Sequence, residues 1–167
     1  MARKYQKASE FFMEESPEWV KTKVDRMFAV MNSGVSPEFI TELSPEEIFV
    51  FGSNQAGIHS KGAAKMAAMK WGAEYGISEG LTGQCYAIPT KDFYIRSLSK
   101  KRVQCSVSYF IRKAKSLPEN IFLVTEVGCG LAGYDPREIG PMFDKAIDLP
   151  NVKLPISFLR AIAENLE

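Results

Sequence analysis

The chain has 167 residues, of which 46% are hydrophobic and 25% are charged, so its composition is that of an ordinary globular protein. This composition excludes a collagen, a disordered chain and a small disulfide-rich scaffold. Lys and Arg number 21 and Asp and Glu number 20, so the net charge of +1 provides no overall field for wrapping a nucleic acid or binding an anionic membrane.

The cysteine and histidine content argues against a structural metal. Cys85, Cys105 and Cys129 lack CxxC spacing, and the one histidine, His59, cannot complete a zinc site with them. We interpret the cysteines as reduced thiols of a cytoplasmic protein, and we expect neither a metal nor a cofactor. No apolar run reaches the roughly 18 residues of a membrane span, and no apolar stretch follows the basic N-terminus, so we expect no membrane anchor and no secretory signal.

Residues 1–43 are predicted to form a helical extension in front of an α/β domain over residues 44–167. Ser16, Pro17 and Glu18 have the order of an N-cap, a first-turn proline and an early acid, and Gly34 is predicted to end the helix. Six apolar residues follow at helical spacing and predict a packing face rather than a ligand-binding surface: Trp19, Val20, Val24, Met27, Phe28 and Met31.

Strands and helices alternate after residue 43. Short apolar runs predict strands over 48–51, 85–88, 121–124 and 152–154, with Pro89 ending the second. Helical patterns predict helices over 62–71, 99–117, 135–148 and 156–166. The third of these has an N-cap, a proline and an N3 acid at Asp135, Pro136 and Glu138. This order predicts a three-layer α/β/α sandwich around a mostly parallel sheet.

Two glycine-rich loops follow predicted strands, at the sheet edge where α/β proteins bind their ligands. The first covers residues 52–62 and runs into a helix that starts with Gly62, Ala63 and Ala64, small residues that leave the unpaired amides open to an anion. The second covers residues 128–134 and precedes the helix at Asp135. We predict that the two loops hold a diphosphate between them through backbone amides. The alternative is that their glycines only form turns.

Two familiar nucleotide motifs fit these loops poorly. Gly52 and Gly57 have the spacing of the outer glycines of a P-loop, but Ile58 and His59 stand where Lys and Ser or Thr are needed, which excludes an NTPase. The second loop spells the dinucleotide fingerprint GxGxxG, but its helix begins too late and the acid about twenty residues on falls at the end of a helix instead of a strand.

Three segments together resemble a known family: IFVFGSNQAGIHSKGAAK over 48–65, GQCYAIPTK over 83–91 and LVTEVGCGLAGY over 123–134. They are similar to a group of small bacterial and phage proteins that resemble macro domains, and the likeness covers residues 44–166. The resemblance implies an α/β/α fold that binds ADP-ribose, and for some members removal of ADP-ribose from proteins or of an acyl group from its ester. It further implies that Asn54 lies near the distal ribose, residues 57–63 lie under the diphosphate, and residues 128–134 form the second phosphate loop with a trailing aromatic residue.

These arguments predict one ligand site at the carboxyl ends of the three strands predicted over 48–51, 85–88 and 121–124. Its residues are Gly52, Ser53, Asn54, Ala56, Gly57, Ile58, His59, Lys61, Gly62, Ala63, Thr90, Gly128, Cys129, Gly130, Leu131, Ala132, Gly133 and Tyr134. Lys61 and Lys65 are interpreted as part of a solvated helix face, and of the two Lys61 is the candidate for contact with a phosphate. Tyr134 is predicted to stack on a base or ribose or to pack against the fold. Thr90, with its neighbours Lys91 and Asp92, is predicted to add polar groups or only to form a turn.

Three side chains are candidates for catalysis. His59 is interpreted as a general acid or base or as a cation on a phosphate, with an ordinary surface histidine as the alternative. Asn54 is predicted to orient a ribose hydroxyl or a water, or to serve as a turn residue. Glu126 is predicted to act as a base, or to point to solvent or pair with an arginine. A nucleophilic Cys129 is not favoured, although a helix start beside it would lower its thiol pKa.

The sequence supports three hypotheses about function. The first is binding of ADP-ribose or a related nucleotide diphosphate, and the second is hydrolysis of an ADP-ribosyl or nucleotide-derived ester. The third is a phage-related interaction protein without a small ligand. Residues 91–115 carry a net charge of +7 and suit a nucleic acid or an acidic protein partner, although a solvated helix face explains the same pattern.

Overall fold

The fold is described by a computed structural model over residues 16–166. In this part of the chain the helices are α1 Glu18–Asn32, α2 Gly62–Trp71, α3 Lys100–Lys115, α4 Pro136–Ile139 and α5 Ile156–Glu164, with a 3-10 helix over Gly140–Asp148. The strands are β1 Gly34–Val35, β2 Glu47–Asn54, β3 Gly80–Thr82, β4 Cys85–Lys91, β5 Ile121–Val124 and β6 Val152–Leu154.

The six strands in this part of the chain form one sheet in the order β1-β6-β5-β2-β4-β3. Every neighbouring pair is parallel except β3 and β4, which are antiparallel. The predicted α/β class and the mostly parallel sheet are therefore confirmed. The two short edge strands β1 and β3 were not predicted, because two or three residues are too few to show a period in the sequence.

The sheet separates two hydrophobic cores. Along β2, Ile48 and Val50 face one core, and Phe49 and Phe51 face the other, as the alternation of a strand requires. The first core is completed by α3, the 3-10 helix and α5, and the second by α2. Helical layers therefore cover both faces of the sheet, an arrangement compatible with the predicted three-layer sandwich.

The prediction that Pro89 ends a strand is wrong, because β4 continues through it to Lys91. Pro89 lies opposite Ser53 of β2, whereas the pairing with the antiparallel β3 extends only to Ala87, so β4 has lost this neighbour before the proline is reached. A proline is tolerated where a strand has a free edge. The extension moves Thr90 and Lys91 from a predicted turn to the end of a central strand.

The helix predicted from Asp135 begins as expected but changes its form. Asp135 accepts a hydrogen bond from the Arg137 amide, and Glu138 accepts one from the Asp135 amide, which completes the predicted capping box. After four residues the chain tightens into the 3-10 helix, in which Pro141 has no amide for an α-helical hydrogen bond.

Helix α1 does not pack as the sequence predicted. None of its residues is buried, and Trp19 and Met31 are 64% and 75% exposed. The helix instead contacts the first core through Ala29 and Val30, and Arg26 forms ion pairs to the 3-10 helix. The predicted packing face is therefore wrong for four of its six residues, Trp19, Met27, Phe28 and Met31, whereas Val20 and Val24 are half-buried. Residues 1–15 of the predicted N-terminal extension lie outside the described residues.

Two further observations concern the cysteines and the predicted absence of a membrane span. Cys85, Cys105 and Cys129 are all free thiols. Across residues 16–166, the helices are too short or too polar to cross a bilayer.

Candidate functional site

A cavity of about 540 Å³ opens at the carboxyl ends of β2, β4 and β5. This is the edge of the sheet where parallel α/β proteins bind ligands. The cavity is lined by Gly52, Ser53, Asn54, Ile58, Ser60, Lys61, Gly62, Ala63, Ala64, Thr90, Lys91, Ile95, Thr125, Glu126, Gly128, Gly130, Leu131 and Ala132.

The two glycine loops lie side by side along this cavity. A Cβ atom built on Gly62 would lie 3.7 Å from Cδ1 of Leu131. Where the loops leave the sheet, a Cβ atom on Gly52 would lie 3.3 Å from the amide nitrogen of Gly128, closer than side chains normally approach a backbone. The absence of a side chain at Gly52 is therefore what allows the two loops to approach each other.

Helix α2 begins at the cavity with its first amides unpaired. Lys61 occupies the N-cap position in an extended conformation and makes no side-chain cap hydrogen bond, and the first turn contains no acid. The amides of Gly62, Ala63 and Ala64 have no acceptor among residues 16–166. Four amides at a helix start normally lack an intrahelical partner, and together with the helix dipole they favour an anion.

The second loop also leaves amides without acceptors. Its turns are closed by hydrogen bonds from Cys129 to Glu126 and from Gly133 to Gly130. Gly128 and Gly133 have φ angles of 81° and 77°, which glycine adopts without strain. The amides of three lining residues, Gly130, Leu131 and Ala132, have no acceptor in the described part of the chain.

Three charged side chains line the cavity. Lys61 is exposed and Lys91 is half-buried, and neither forms an ion pair with another described residue. Glu126 is exposed, and its Oε1 accepts a 2.6 Å hydrogen bond from the Ser157 hydroxyl at the start of α5. The lining therefore carries two positive charges and one negative charge, a balance that favours an anionic ligand.

Asn54 lines the cavity, but its side chain forms hydrogen bonds within the first glycine loop. The Nδ2 atom donates a 2.7 Å hydrogen bond to the carbonyl oxygen of Ile58, and Oδ1 accepts a 3.0 Å bond from the Ile58 amide. Both polar atoms of the amide therefore already have partners. The structure supports the interpretation of Asn54 as a turn residue more directly than an interaction with a ribose or a water.

The hydroxyl groups of Ser53 and Thr90 also bond to main-chain carbonyl groups. Ser53 is buried and donates to the carbonyl oxygen of Ser78, while Thr90 donates a 3.3 Å bond to the carbonyl oxygen of Ser53. Both residues line the cavity as predicted. The Thr90 bond joins the ends of β4 and β2, and the Ser53 bond ties β2 to the segment before β3.

His59 lies outside the cavity lining and is completely buried against Phe51 and Tyr75. Its Nε2 lies 3.0 Å and 3.1 Å from the carbonyl oxygens of Glu74 and Ile77, so Nε2 carries the hydrogen and donates to them. Its Nδ1 is buried without a partner in the described residues. The predicted contact with a phosphate and the alternative of a surface histidine are both wrong, because the ring is buried in the protein interior and does not reach the cavity.

Five other predicted ligand residues do not line the cavity: Ala56, Gly57, Cys129, Gly133 and Tyr134. Burial, followed by the nearby charges of Glu126, Asp135 and Glu138, raises the pKa of Cys129 to about 12. The expectation that a helix start would lower this pKa is therefore wrong, and the thiol is protonated at neutral pH.

Tyr134 fits the packing interpretation. Its ring packs against the first core, and its hydroxyl is buried without a hydrogen-bond partner among the described residues. Burial also raises the pKa of Tyr134. A Cβ atom on Gly128 would lie 3.2 Å from the Tyr134 ring, so the ring packs over the start of the second loop.

Three lining residues were not singled out by the sequence analysis: Ser60, Ile95 and Thr125. Ser60 and Thr125 are neighbours of predicted residues and could have been found by extending the predicted site along the chain. The sequence around Ile95 contains no motif that indicates a place in the ligand site. It has a φ angle of 65°, which is unusual for a β-branched residue, in a loop that follows β4.

No protein-family model, curated protein or solved structure matches the chain.

Proposed function

We propose that this protein binds ADP-ribose or a related nucleotide diphosphate in the cavity between its two glycine loops. The observation that carries the proposal is the set of unpaired amides at residues 62–64 and 130–132, on two adjacent loops that line one cavity. A diphosphate supplies the several anionic oxygens that such amides need as acceptors. The macro-domain resemblance of the same loop sequences points to ADP-ribose within this class.

The charge and size of the cavity support the same ligand class. Lys61 and Lys91 are available as cations for phosphate oxygens. The volume of about 540 Å³ lies in the range of small-molecule sites. The conformations of both loops are fixed by internal hydrogen bonds, including those of Asn54, so little order has to be gained when the ligand binds.

Thermal unfolding in the presence of ADP-ribose, NAD, AMP and cyclic nucleotides tests the proposal. A ligand at about 100 times its Kd adds about 2.7 kcal/mol to the free energy of unfolding. We expect a rise in Tm with ADP-ribose or NAD and a smaller rise with AMP, which has no diphosphate. A chain whose Tm responds to none of these compounds, and to which none binds in calorimetry, does not have the proposed function.

A variant pair at Gly130 locates the ligand. Gly130 has an ordinary φ angle, and a Cβ atom there would meet nothing within 4 Å, so a side chain is accommodated without strain. Gly130→Asp adds a negative charge at the unpaired amides and is expected to weaken binding at least tenfold. Gly130→Asn has the same shape without the charge and serves as the control. Equal affinities for the two variants would place the anion elsewhere.

Glu126 supports a second candidate function, hydrolysis of an ADP-ribosyl or nucleotide-derived ester. Its carboxylate lines the cavity with one oxygen held by Ser157. In this mechanism Glu126 takes a proton from a water as the water oxygen attacks the carbonyl carbon of the ester. The bond from that carbon to the alcohol oxygen then breaks, and the proton passes from Glu126 to this oxygen. We assign Asn54 no role in this mechanism, because its side-chain amide is bonded to the main chain of Ile58.

Product analysis distinguishes the binder from the hydrolase. An enzyme converts the bound ester, and Glu126→Gln retains affinity but loses at least 100-fold in kcat. Ester that remains intact after prolonged incubation with the wild-type protein favours the binding function.

A further inference from the structure

We propose that the exposed face of α3 binds a single-stranded nucleic acid. This basic face consists of Lys101, Arg102, Arg112, Lys113 and Lys115, together with the ring of Tyr109. The proposal goes beyond the nucleotide diphosphate site and does not depend on it.

The charges of α3 are concentrated on one side. Val103, Val107 and Phe110 bury the opposite side in the first core, and the helix contains no acid. All five cations are exposed, and none forms an ion pair with another residue of the described chain. From Lys101 to Lys115 the helix rises about 21 Å, a length that spans several phosphates of an extended strand. The net charge of the whole chain is only +1, so this local concentration of positive charge is not evident from the overall composition.

Exposed aromatic rings distinguish a single strand from other anionic partners. Tyr109 is 57% exposed, and the guanidinium of Arg112 lies 4.5 Å from its ring centroid. In the loop that leads into α3, Phe93 and Tyr94 are 65% and 76% exposed. Unpaired bases stack on such rings and on guanidinium planes, whereas a duplex hides its base faces and an acidic peptide offers none.

The same loop connects the basic face to the rim of the cavity. Ile95 lines the cavity, and the Ser97 hydroxyl donates a 2.7 Å hydrogen bond to the carbonyl oxygen of Ala132 in the second glycine loop. Lys100, at the start of α3, pairs with Glu138 just beyond that loop. The N-terminal end of the basic face therefore lies only a few residues along the chain from the rim of the cavity.

Fluorescence anisotropy with labelled 15-nucleotide single-stranded DNA, single-stranded RNA and duplex DNA tests the proposal. We expect either single strand to bind more tightly than the duplex. With about five phosphate contacts, the logarithm of the binding constant is expected to fall with the logarithm of salt concentration with a slope of about −3.5. Binding to neither single strand, or tighter binding to the duplex, would overturn the proposal.

Matched variants locate the surface. The double variant Lys101→Glu and Arg112→Glu is expected to weaken binding at least tenfold and to flatten the salt dependence. The control reverses the charges of Lys65 and Lys70, which are exposed on α2 on the other side of the sheet, and is expected to change the affinity less than twofold. Equal losses in the two double variants would mean that only net charge matters and would contradict an assignment to α3.

Tyr109 separates base stacking from charge. Tyr109→Ala is expected to weaken single-strand binding about tenfold, whereas Tyr109→Phe retains the ring and the affinity. If Tyr109→Ala binds as well as the wild type, the stacking argument fails.

Cys105 provides a reporter on the same face of α3. It is exposed, whereas Cys85 is buried and Cys129 is half-buried, so a maleimide modifies Cys105 first. Bound single strand is expected to slow this modification severalfold, and unchanged labelling at saturating strand would contradict the proposed location. Because this assay uses no ADP-ribose, its failure is distinguishable from failure of the nucleotide diphosphate proposal.

Discussion

The side-chain amide of Asn54 is bonded at both ends to the main chain of Ile58, through Nδ2 to the carbonyl oxygen and through Oδ1 to the amide nitrogen. These bonds close the first glycine loop just after β2 ends. The residue that the family resemblance places beside a ribose therefore shapes the wall of the cavity.

Asn54→Ala is expected to lower the free energy of unfolding by about 2 kcal/mol. Two hydrogen bonds are lost, and the Ile58 groups that they satisfied are left without these partners. Urea denaturation measures the loss. Gln55→Ala is the control because the Gln55 amide nitrogen bonds to Lys91 through the main chain, which the substitution preserves. A neutral Asn54→Ala variant would contradict the structural role.

His59→Ala is expected to cost at least 2 kcal/mol of stability without changing the affinity of the folded protein for a nucleotide. The ring is completely buried, and its loss leaves a cavity and takes from the Ile77 carbonyl group its donor, whereas the Glu74 carbonyl group keeps the bond from the Ile77 amide. Chemical denaturation and calorimetry on the same sample separate the two effects. A His59→Ala variant that is as stable as the wild type but no longer binds nucleotide would contradict this prediction and indicate that His59 takes part in ligand binding.

Gly57→Ala is expected to destabilise the protein strongly, whereas Gly130→Ala leaves its stability within about 0.5 kcal/mol of the wild type. Gly57 has a φ angle of 65°, and its Cβ atom would lie 2.5 Å from the backbone carbon of Gly76. Gly130 has neither constraint. The Tm values of the two variants measure the effect of the same substitution at two glycines in different environments. Similar values would contradict the close packing of the first loop against Gly76.

Stability is expected to fall as the pH rises above about 9. Burial raises the pKa of Cys85 and of Tyr86 to about 12, and the pKa of Cys129 is raised equally far. The unfolded chain loses these protons at roughly pH 8.5 for cysteine and 10 for tyrosine, whereas the folded chain retains them. The stabilisation is therefore complete below the unfolded pKa values and is lost as the pH rises through the interval up to the folded ones.

Urea denaturation between pH 8 and 10.5 measures this decline. Cys85→Ala removes one of the titrating groups, so its stability is expected to fall less steeply with pH than that of the wild type. The exposed Cys105 provides the matched control, and Cys105→Ala is expected to preserve the slope. A wild-type stability that stays constant up to pH 10.5 would contradict the retention of these protons.

Much of the fold could be predicted from the sequence because the signals are local. The run 48–51 is apolar enough for a buried strand, the alanines after Gly62 favour a helix, and Asp135 with Glu138 forms a capping box from residues three positions apart. Each of these preferences depends on near neighbours along the chain. The glycine loops could be placed at one edge of the sheet because the strands before them are parallel.

Only the tertiary structure decided what individual side chains do. Pro89 remains within a strand because the pairing of β4 with β3 extends only to Ala87, and α1 turns Ala29 rather than Trp19 toward the core. His59 is buried because the carbonyl groups of Glu74 and Ile77 accept its hydrogen bonds, although these residues lie 15 and 18 positions further along the chain. Hydrogen-bond partners and burial are set by segments that meet only on folding, and no local pattern of residue types contains that information.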